Sequence, residues 1–521
     1  MTSLGVKDAR TRVHGGQEIA FLDIREAGQF AEGHPLFATP LPFSQLEQRI
    51  GALAPRLTVP LLLIDNGDGV AQRAHRRLRE IGYTDIRWIE GGMPAWEKAG
   101  YPVYKGVNVP SKTLGEMAEH IWRPKMMTAD ELAQAIAEGR APAFFDARPA
   151  AEYAKMRVPG SVCLPNGELA HRISTLGDAP QVLITCAGRT RGITGAIGLM
   201  LTGIDGSVAA LENGTQGWAL SGRDLERDNR PGPFPALDAA GLAASRKRAE
   251  ALIERFSLQE ANCVDVKRMM GELDRTTYVF DVRSPDEARG DPLAVANHAA
   301  SGQLVQATDQ WVSVRNSRLI LCCDTGLRAA LAAFWLGQLG YEVLVVRIDD
   351  ALRDLPERPA VGSPAIPQTA TVSAAELLAM PNATLLDMRP SPDFRASHVK
   401  GAIWTTRPGL PETLARSGGG PVVILADSGD RARIFARDAA ELGFANSFAL
   451  SDGHAALVNA GAEVDVDSPH PEPSEAIDFP WFVHDRHDGN LDASRRYLAW
   501  ETGLIDQLDD VERAEYRLVR P

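Results

Sequence analysis

VLITCAGRTR, residues 182–191, reads as an apolar strand that breaks into a polar, glycine-containing turn and then enters a small-residue helix, Ile193 to Leu201. Three other stretches share the form: LLLIDNGDGV (61–70), LILCCDTGLR (319–328) and VVILADSGDR (422–431). Upstream of each lies an apolar pair followed by Asp-x-Arg, at Asp23/Arg25, Asp146/Arg148, Asp281/Arg283 and Asp387/Arg389. The aspartates are 106 to 135 residues apart, a domain-sized period, so the chain contains four copies of one unit. Each copy closes with a further strand and a turn: IRWIEGGMPAW (86–96), VAALENGTQGW (208–218), VLVVRIDDAL (343–352) and SFALSDGHAAL (447–457).

Strands alternating with helices imply an α/β fold, with a parallel sheet flanked by helices in each unit. In such sheets the sites lie at the carboxyl ends of the strands, where the four loops fall. The units are expected at residues 1–104, 124–223, 257–355 and 369–464, with a helical C-terminal extension at 480–521. Lys105–Met126, Arg223–Pro235, Leu355–Gln368 and Val464–Pro480 read as linkers, and 236–256 reads as an amphipathic helix that packs between units two and three.

With 521 residues the chain is too long for one core. No apolar run reaches the length that spans a membrane, and the start MTSLGVKDARTR lacks the apolar segment of a secretory signal. A net charge of −13 argues against nucleic acid or an anionic membrane as partner. The five cysteines, Cys163, Cys186, Cys263, Cys322 and Cys323, form no CxxC pair, which suits free thiols in a reducing cytoplasm. No Walker loop, GxGxxG or HExxH is present, and no metal is expected; His484-Asp-Arg-His487-Asp488 is one short cluster, too few ligands for a site.

Cys186 stands out by the residues on its C-terminal side. A strand-to-helix turn aims backbone N–H groups and the helix dipole at the sulfur, which should lower a thiol pKa from its usual ~8.5. Gly188 lets the backbone curl, Thr190 adds a hydroxyl, and Arg189 and Arg191 offer forked donors to an anion. Cys163 and Cys263 lack such a setting, and Cys322 packs in a strand. Trp96 and Trp218, at the closing turns, read as packing anchors, and the Asp-x-Arg pairs recur in units without a loop cysteine, which favours a role in geometry.

The residues Asp146-Ala-Arg148, Pro159-Gly-Ser161, Cys186-x4-Arg191 and Glu212-Asn-Gly214-x3-Trp218 resemble those of the rhodanese-homology sulfurtransferases, and the same frame returns as Gly91-Gly92-x3-Trp96 and His398-Val-Lys-Gly-Ala402. The resemblance implies four tandem rhodanese-like units and a cysteine persulfide that carries sulfane sulfur, with no other cofactor. It implies a donor such as thiosulfate or another persulfide, and a thiol, protein or cyanide-like acceptor. By that resemblance Cys186 and Arg191 are catalytic, and Ala187, Gly188, Arg189, Thr190, Gly192 and Arg148 bind the donor. The six-residue loop is one shorter than in related phosphatases and arsenate reductases, which disfavours oxyanion chemistry. Cys323, Gly326 and Arg328 form a possible second site, weakened by Asp324 beside the sulfur. Asp65 and Ala426 occupy the cysteine position in units one and four, which are expected to be non-catalytic. A persulfide carrier or interaction scaffold with little turnover is the alternative reading. Donor, acceptor and oligomeric state are left open by the sequence.

Overall fold

The structure, a computed structural model, describes residues 3–176, 181–204, 207–358, 361–362, 366–484 and 490–521. Each unit holds a five-strand parallel path in one order: entry strand, closing strand, loop-bearing strand, Asp-x-Arg strand, short edge strand. In the second unit these are Lys125–Met127, Ser207–Leu211, Gln181–Thr185, Ala143–Asp146 and Val162–Cys163. The third unit repeats the order with Gln259–Ala261, Glu342–Arg347, Arg318–Cys323, Thr277–Asp281 and Asn297–His298. Its sequence is the most divergent of the four, yet its topology is the same. In the first unit the outer edge of Ile19–Asp23 is shared: Thr39–Pro40 pairs parallel to its end, while Val314–Arg315 from the third unit pairs antiparallel to its start.

The central strands are apolar on both faces because helices cover both sides. After each loop a helix returns along the sheet: Val70–Ile81, Thr190–Leu201, Leu327–Gln338 and Gly429–Glu441. One apolar core runs without interruption from unit one through units two and three and takes in Leu504, Leu508 and Tyr516 near the C-terminus. The fourth unit has its own cores and joins the first through charge. Arg407, fully buried, donates to Glu47, Asp438 and the carbonyl of Phe43.

Three segments read as linkers hold ordered parts of the fold. Val109–Trp122, within Lys105–Met126, is a helix buried on nearly every side and packed on Thr190–Leu201. Leu114, Met117, Ala118, Ile121 and Trp122 recur along it at the spacing of a helix, a signal the reading as linker overlooks, and its polar side is buried too at Lys112 and Glu116. Glu226–Arg227 pairs with Met156–Arg157, and Val464–Val466 pairs with Ser397–Val399. Part of Leu355–Gln368 lies outside the described residues. The helix expected at 236–256 runs Ala239–Phe256, capped by Asp238. None of the helices among the described residues is long and apolar enough to cross a membrane.

The Asp-x-Arg pairs share one geometry. In every copy the arginine backbone N–H and Nε donate to the aspartate carboxylate, and Nη2 donates to it and to the carbonyl eight residues further on: Gly33, Met156, Asp291 and Ser397. The pair therefore fixes where the segment after the strand returns to the sheet. Replacing Asp387 by Asn strips one partner from such a pair, a loss of about 3–5 kcal/mol. D387N is expected to lower the urea midpoint for the fourth unit, read by hydrogen exchange over residues 384–404; a change below about 1 kcal/mol would reduce the pair to a surface contact.

Candidate active site

The strand Gln181–Thr185 ends and Cys186 opens the loop, which runs into the helix Thr190–Leu201. The Cys186 sulfur receives the backbone N–H groups of Gly188 and Gly192. A Cβ on Gly192 would lie 3.9 Å from that sulfur. The closing turn holds the loop from behind: Thr215 N–H donates to the Cys186 carbonyl at 2.8 Å, and Gln216 donates to the Ala187 carbonyl from its backbone at 3.2 Å and its side chain at 3.1 Å. This explains the Glu-Asn-Gly motif. Gly214 has φ of +58°, and a Cβ there would sit 2.3 Å from the Cys186 carbonyl. Trp218 and Trp96 are buried and donate to the carbonyls of Asp224 and Pro102, anchors of the two closing turns.

The electrostatics differ from the sequence expectation. Cys186 is only 2% exposed, and burial raises its thiol pKa; Arg191 and the two loop amides oppose that rise, while Glu501 adds to it. The thiol is not poised low. Nor are the arginines unpaired. Arg189 donates to Glu116 at 2.8 and 3.0 Å and to Glu119, and Arg191 is bidentate to Glu152 at 2.7 Å. Arg148 is held on Asp146 and the Met156 carbonyl through Nε and Nη2, and it lines the same cavity as Cys186. The Thr190 hydroxyl donates to Glu501 Oε1 at 2.9 Å, not into the cradle. Desolvation pushes Glu116 up to about 7, although Arg189 pulls it the other way.

The other three loops show what the cradle selects. In unit one the Asp65 carboxylate fills it, accepting from Gly67 N–H at 2.8 Å and Ala71 N–H at 2.9 Å. Gly67 and Ala71 stand at the same offsets from Asp65 as Gly188 and Gly192 from Cys186. In unit three the possible second site has a buried sulfur. Cys323 is wholly buried, its thiol pushed up by burial and by Asp324, on which it donates at 3.2 Å. Arg328, also fully buried, spends its donors on Asp324 and on Glu168 and Glu287. A Cβ on Gly326 would lie 3.6 Å from Ala249 of the helix Ala239–Phe256, and Ser245 of that helix bonds Thr325. In unit four Ala426 offers no acceptor, and Asp427 pairs with Arg431. Cys163 is pushed up to about 12 by burial.

A cavity of about 760 Å³ opens onto the second loop. Cys186 to Arg191 line it with Lys112, Arg227, Gln303 and Glu501, and Phe479, Trp481 and Tyr497 supply an aromatic wall. His484 also lines it, whereas Asp485 to Asp488 of the histidine cluster lie outside the described residues. Sequence reasoning missed Glu116, Glu119 and Glu501. The first two sit in a segment read as linker. The third sits in an extension without a counterpart in the repeat, so no internal comparison marks it.

Alanine at 214 must adopt a positive φ and displace the loop carbonyls, a penalty of about 1–3 kcal/mol. G214A is expected to increase amide exchange across residues 186–192 while leaving the fourth unit unchanged; unaltered protection would remove the closing turn as the loop's support.

Known proteins place this arrangement in a family. The rhodanese-like domain model matches residues 6–99, 128–221 and 372–460. The third unit, unmatched there, has the topology of the others. A crystal structure of thiosulfate sulfurtransferase from Pseudomonas aeruginosa superposes with a TM-score of 0.90 at 34% identity, covering 100% of both chains. Among curated proteins, the uncharacterized YqhL of Bacillus subtilis is 34% identical over 82 residues, which is 16% of this chain and 64% of that protein. An uncharacterized Synechocystis protein is 32% identical over 93 residues, 18% of this chain and 50% of that protein. The chain thus spans about half to two thirds of the curated relatives it matches. With a cysteine held by strand-to-helix amides, the same sheet order in four units and these matches, the chain belongs to the rhodanese-like family.

Proposed function

We propose that the protein is a sulfurtransferase that carries sulfane sulfur as a persulfide on Cys186. The observation that carries this reading is the shared cradle: the amides that hold the Asp65 carboxylate in unit one correspond to those that face sulfur in unit two. A site that binds a carboxylate in one copy suits a thiolate or persulfide anion in another. The Pseudomonas aeruginosa neighbour, a thiosulfate sulfurtransferase, supports the same chemistry.

In the first half-reaction the Cys186 sulfur attacks the outer sulfur of a donor such as thiosulfate or an organic persulfide, and sulfite or a thiol leaves. In the second, an acceptor attacks the outer sulfur on Cys186 and departs with it, returning the thiolate. The loop amides stabilise negative charge on either sulfur. Arg191, held by Glu152, is a fixed positive neighbour that favours the ionised form. The second unit has a loop sulfur with a cavity in front of it; Cys323 is wholly buried beside Asp324 and Arg328, and units one and four lack the loop sulfur.

Incubation with thiosulfate, followed by peptide mass spectrometry, is expected to add one sulfur atom to the peptide that holds Cys186 and none to that holding Cys323. C186S should abolish the adduct and turnover, and C323S should retain both. Because burial raises the Cys186 pKa, loading should accelerate with pH by up to about tenfold per unit until the thiol is ionised. A plateau already reached at pH 6 would contradict the buried, protonated thiol, and an adduct on Cys323 alone would move the site to unit three.

A further inference from the structure

Glu501 reaches the site from outside the repeats. It lies near the end of the helix Leu491–Thr502, whose buried positions Ala493, Ser494, Tyr497, Leu498 and Glu501 form one face. That helix packs on the closing-turn helix Gly214–Leu220 and on Val109–Trp122. Glu501 is 2% exposed. Its Oε1 accepts from the Thr190 hydroxyl at 2.9 Å, and its Oε2 is buried with no hydrogen-bond partner among the described residues. Oε2 lies 2.8 Å from where a Cβ on Gly188 would stand, so a side chain there would meet the carboxylate, and Glu501 lines the cavity together with Cys186.

An unpartnered buried carboxylate oxygen is costly unless something enters to use it. The groups near it are Cys186 and Arg189 from the loop, Glu116 from Val109–Trp122, Gln216 from the closing turn and Tyr497 from its own helix, with Lys112 and Arg191 lining the same cavity. Arg189 is already held by Glu116 and Glu119, and Arg191 by Glu152. Lys112 donates to the Val107 carbonyl at 2.6 Å and lies over the rings of Tyr497 and Trp500. None of these cations bonds Oε2. A carboxylate here repels a dianion but attracts a proton donor. The cavity, about 760 Å³ with an aromatic wall, holds far more than a diatomic ion.

Resting on the sulfurtransferase reading, we propose that Glu501 is the base that deprotonates a thiol acceptor, so that organic thiols are the acceptor class of this site. The thiol R–SH enters the cavity and gives its proton to Oε2. Its sulfur attacks the outer sulfur of Cys186–S–SH, forming the new S–S bond. The bond from that sulfur to Cys186 Sγ breaks, and its electron pair remains on Sγ as a thiolate beside Arg191 and the loop amides. R–S–SH leaves, and the proton on Glu501 passes to solvent or, when the cycle runs in reverse, back to the departing thiolate. Charge and electrons balance without an external oxidant.

The test loads Cys186 from thiosulfate, removes the donor and monitors loss of the sulfur to 2-mercaptoethanol between pH 6.5 and 9.5 and to sulfite between pH 8 and 9.5. It compares wild type, E501Q and E501D. With 2-mercaptoethanol at pH 7, E501Q is expected to be about 10²-fold slower, the scale of a lost general base. The deficit should shrink as rising pH ionises the thiol without help. E501D, which keeps the carboxylate, should restore most of the rate. With sulfite, a dianion with no proton to give up, E501Q should be faster than wild type, since a repelling charge is gone. An equal loss for both acceptors at every pH would overturn the proposal and leave Glu501 a positioning residue for Thr190, as would no loss with the thiol. If wild type takes up no sulfur on Cys186 from thiosulfate or from an organic persulfide, the sulfurtransferase reading falls and the role of Glu501 falls with it. Loading without an E501Q deficit removes the role of Glu501 alone.

Discussion

A parallel strand that turns directly into a helix leaves backbone N–H groups converging at the turn with no carbonyl to receive them, and buried donors must find an acceptor. The four units answer this one demand in four ways. Asp65 supplies a carboxylate from within the loop. Cys186 supplies sulfur. In unit three Asp324 accepts from Thr325 N–H at 2.8 Å and shares Arg328 with the loop. In unit four Ser428 caps the helix by accepting from Arg431 N–H at 3.3 Å. The acceptor chosen decides the chemistry: a carboxylate is spent on structure, whereas a sulfur can give up its place to a second sulfur.

The units are not beads on a string. The first sheet carries an edge strand from the third unit, and a single apolar core crosses units one to three. Unit two could not keep its site without its neighbours, because Glu116 and Glu119 come from the helix before it and Glu501 from the far end of the chain. The same packing crowds the loop of unit three: Glu168 of unit two holds Arg328, and Ser245 of the helix Ala239–Phe256 bonds Thr325. Opening one loop and crowding another are consequences of one packing arrangement.

Features carried by local pattern are legible in the sequence. Alternating apolar strands and helices at a repeated spacing announce the sheets, and Cys186 with Gly-Arg-Thr-Arg close behind it marks the one loop with both sulfur and basic neighbours. The helix Ala239–Phe256 shows its stripe. The hidden features depend on partners distant in sequence. Arg189 and Arg191 look like free anion donors until Glu116, Glu119 and Glu152 are seen against them. Burial of Cys186 reverses the expected direction of its pKa, because desolvation outweighs the loop amides. Val109–Trp122 reads as a linker although Leu114, Met117, Ala118, Ile121 and Trp122 keep helical spacing; what the sequence hides is that its polar side is buried as well, with Glu116 against Arg189.

Pairing the arginines changes what the loop attracts. A free guanidinium pair beside a sulfur would hold any passing dianion, whether or not it carries sulfane sulfur; a guanidinium already bidentate to a carboxylate offers little net charge but keeps its position. The loop amides then remain the main donors to the sulfur, and amides stabilise charge that develops there without drawing ions from solution. A buried, protonated thiol behind neutralised arginines is a poor trap and a selective one. It favours partners that bring their own proton and need somewhere to leave it, and a buried carboxylate oxygen without a partner, on Glu501, lies beside that loop.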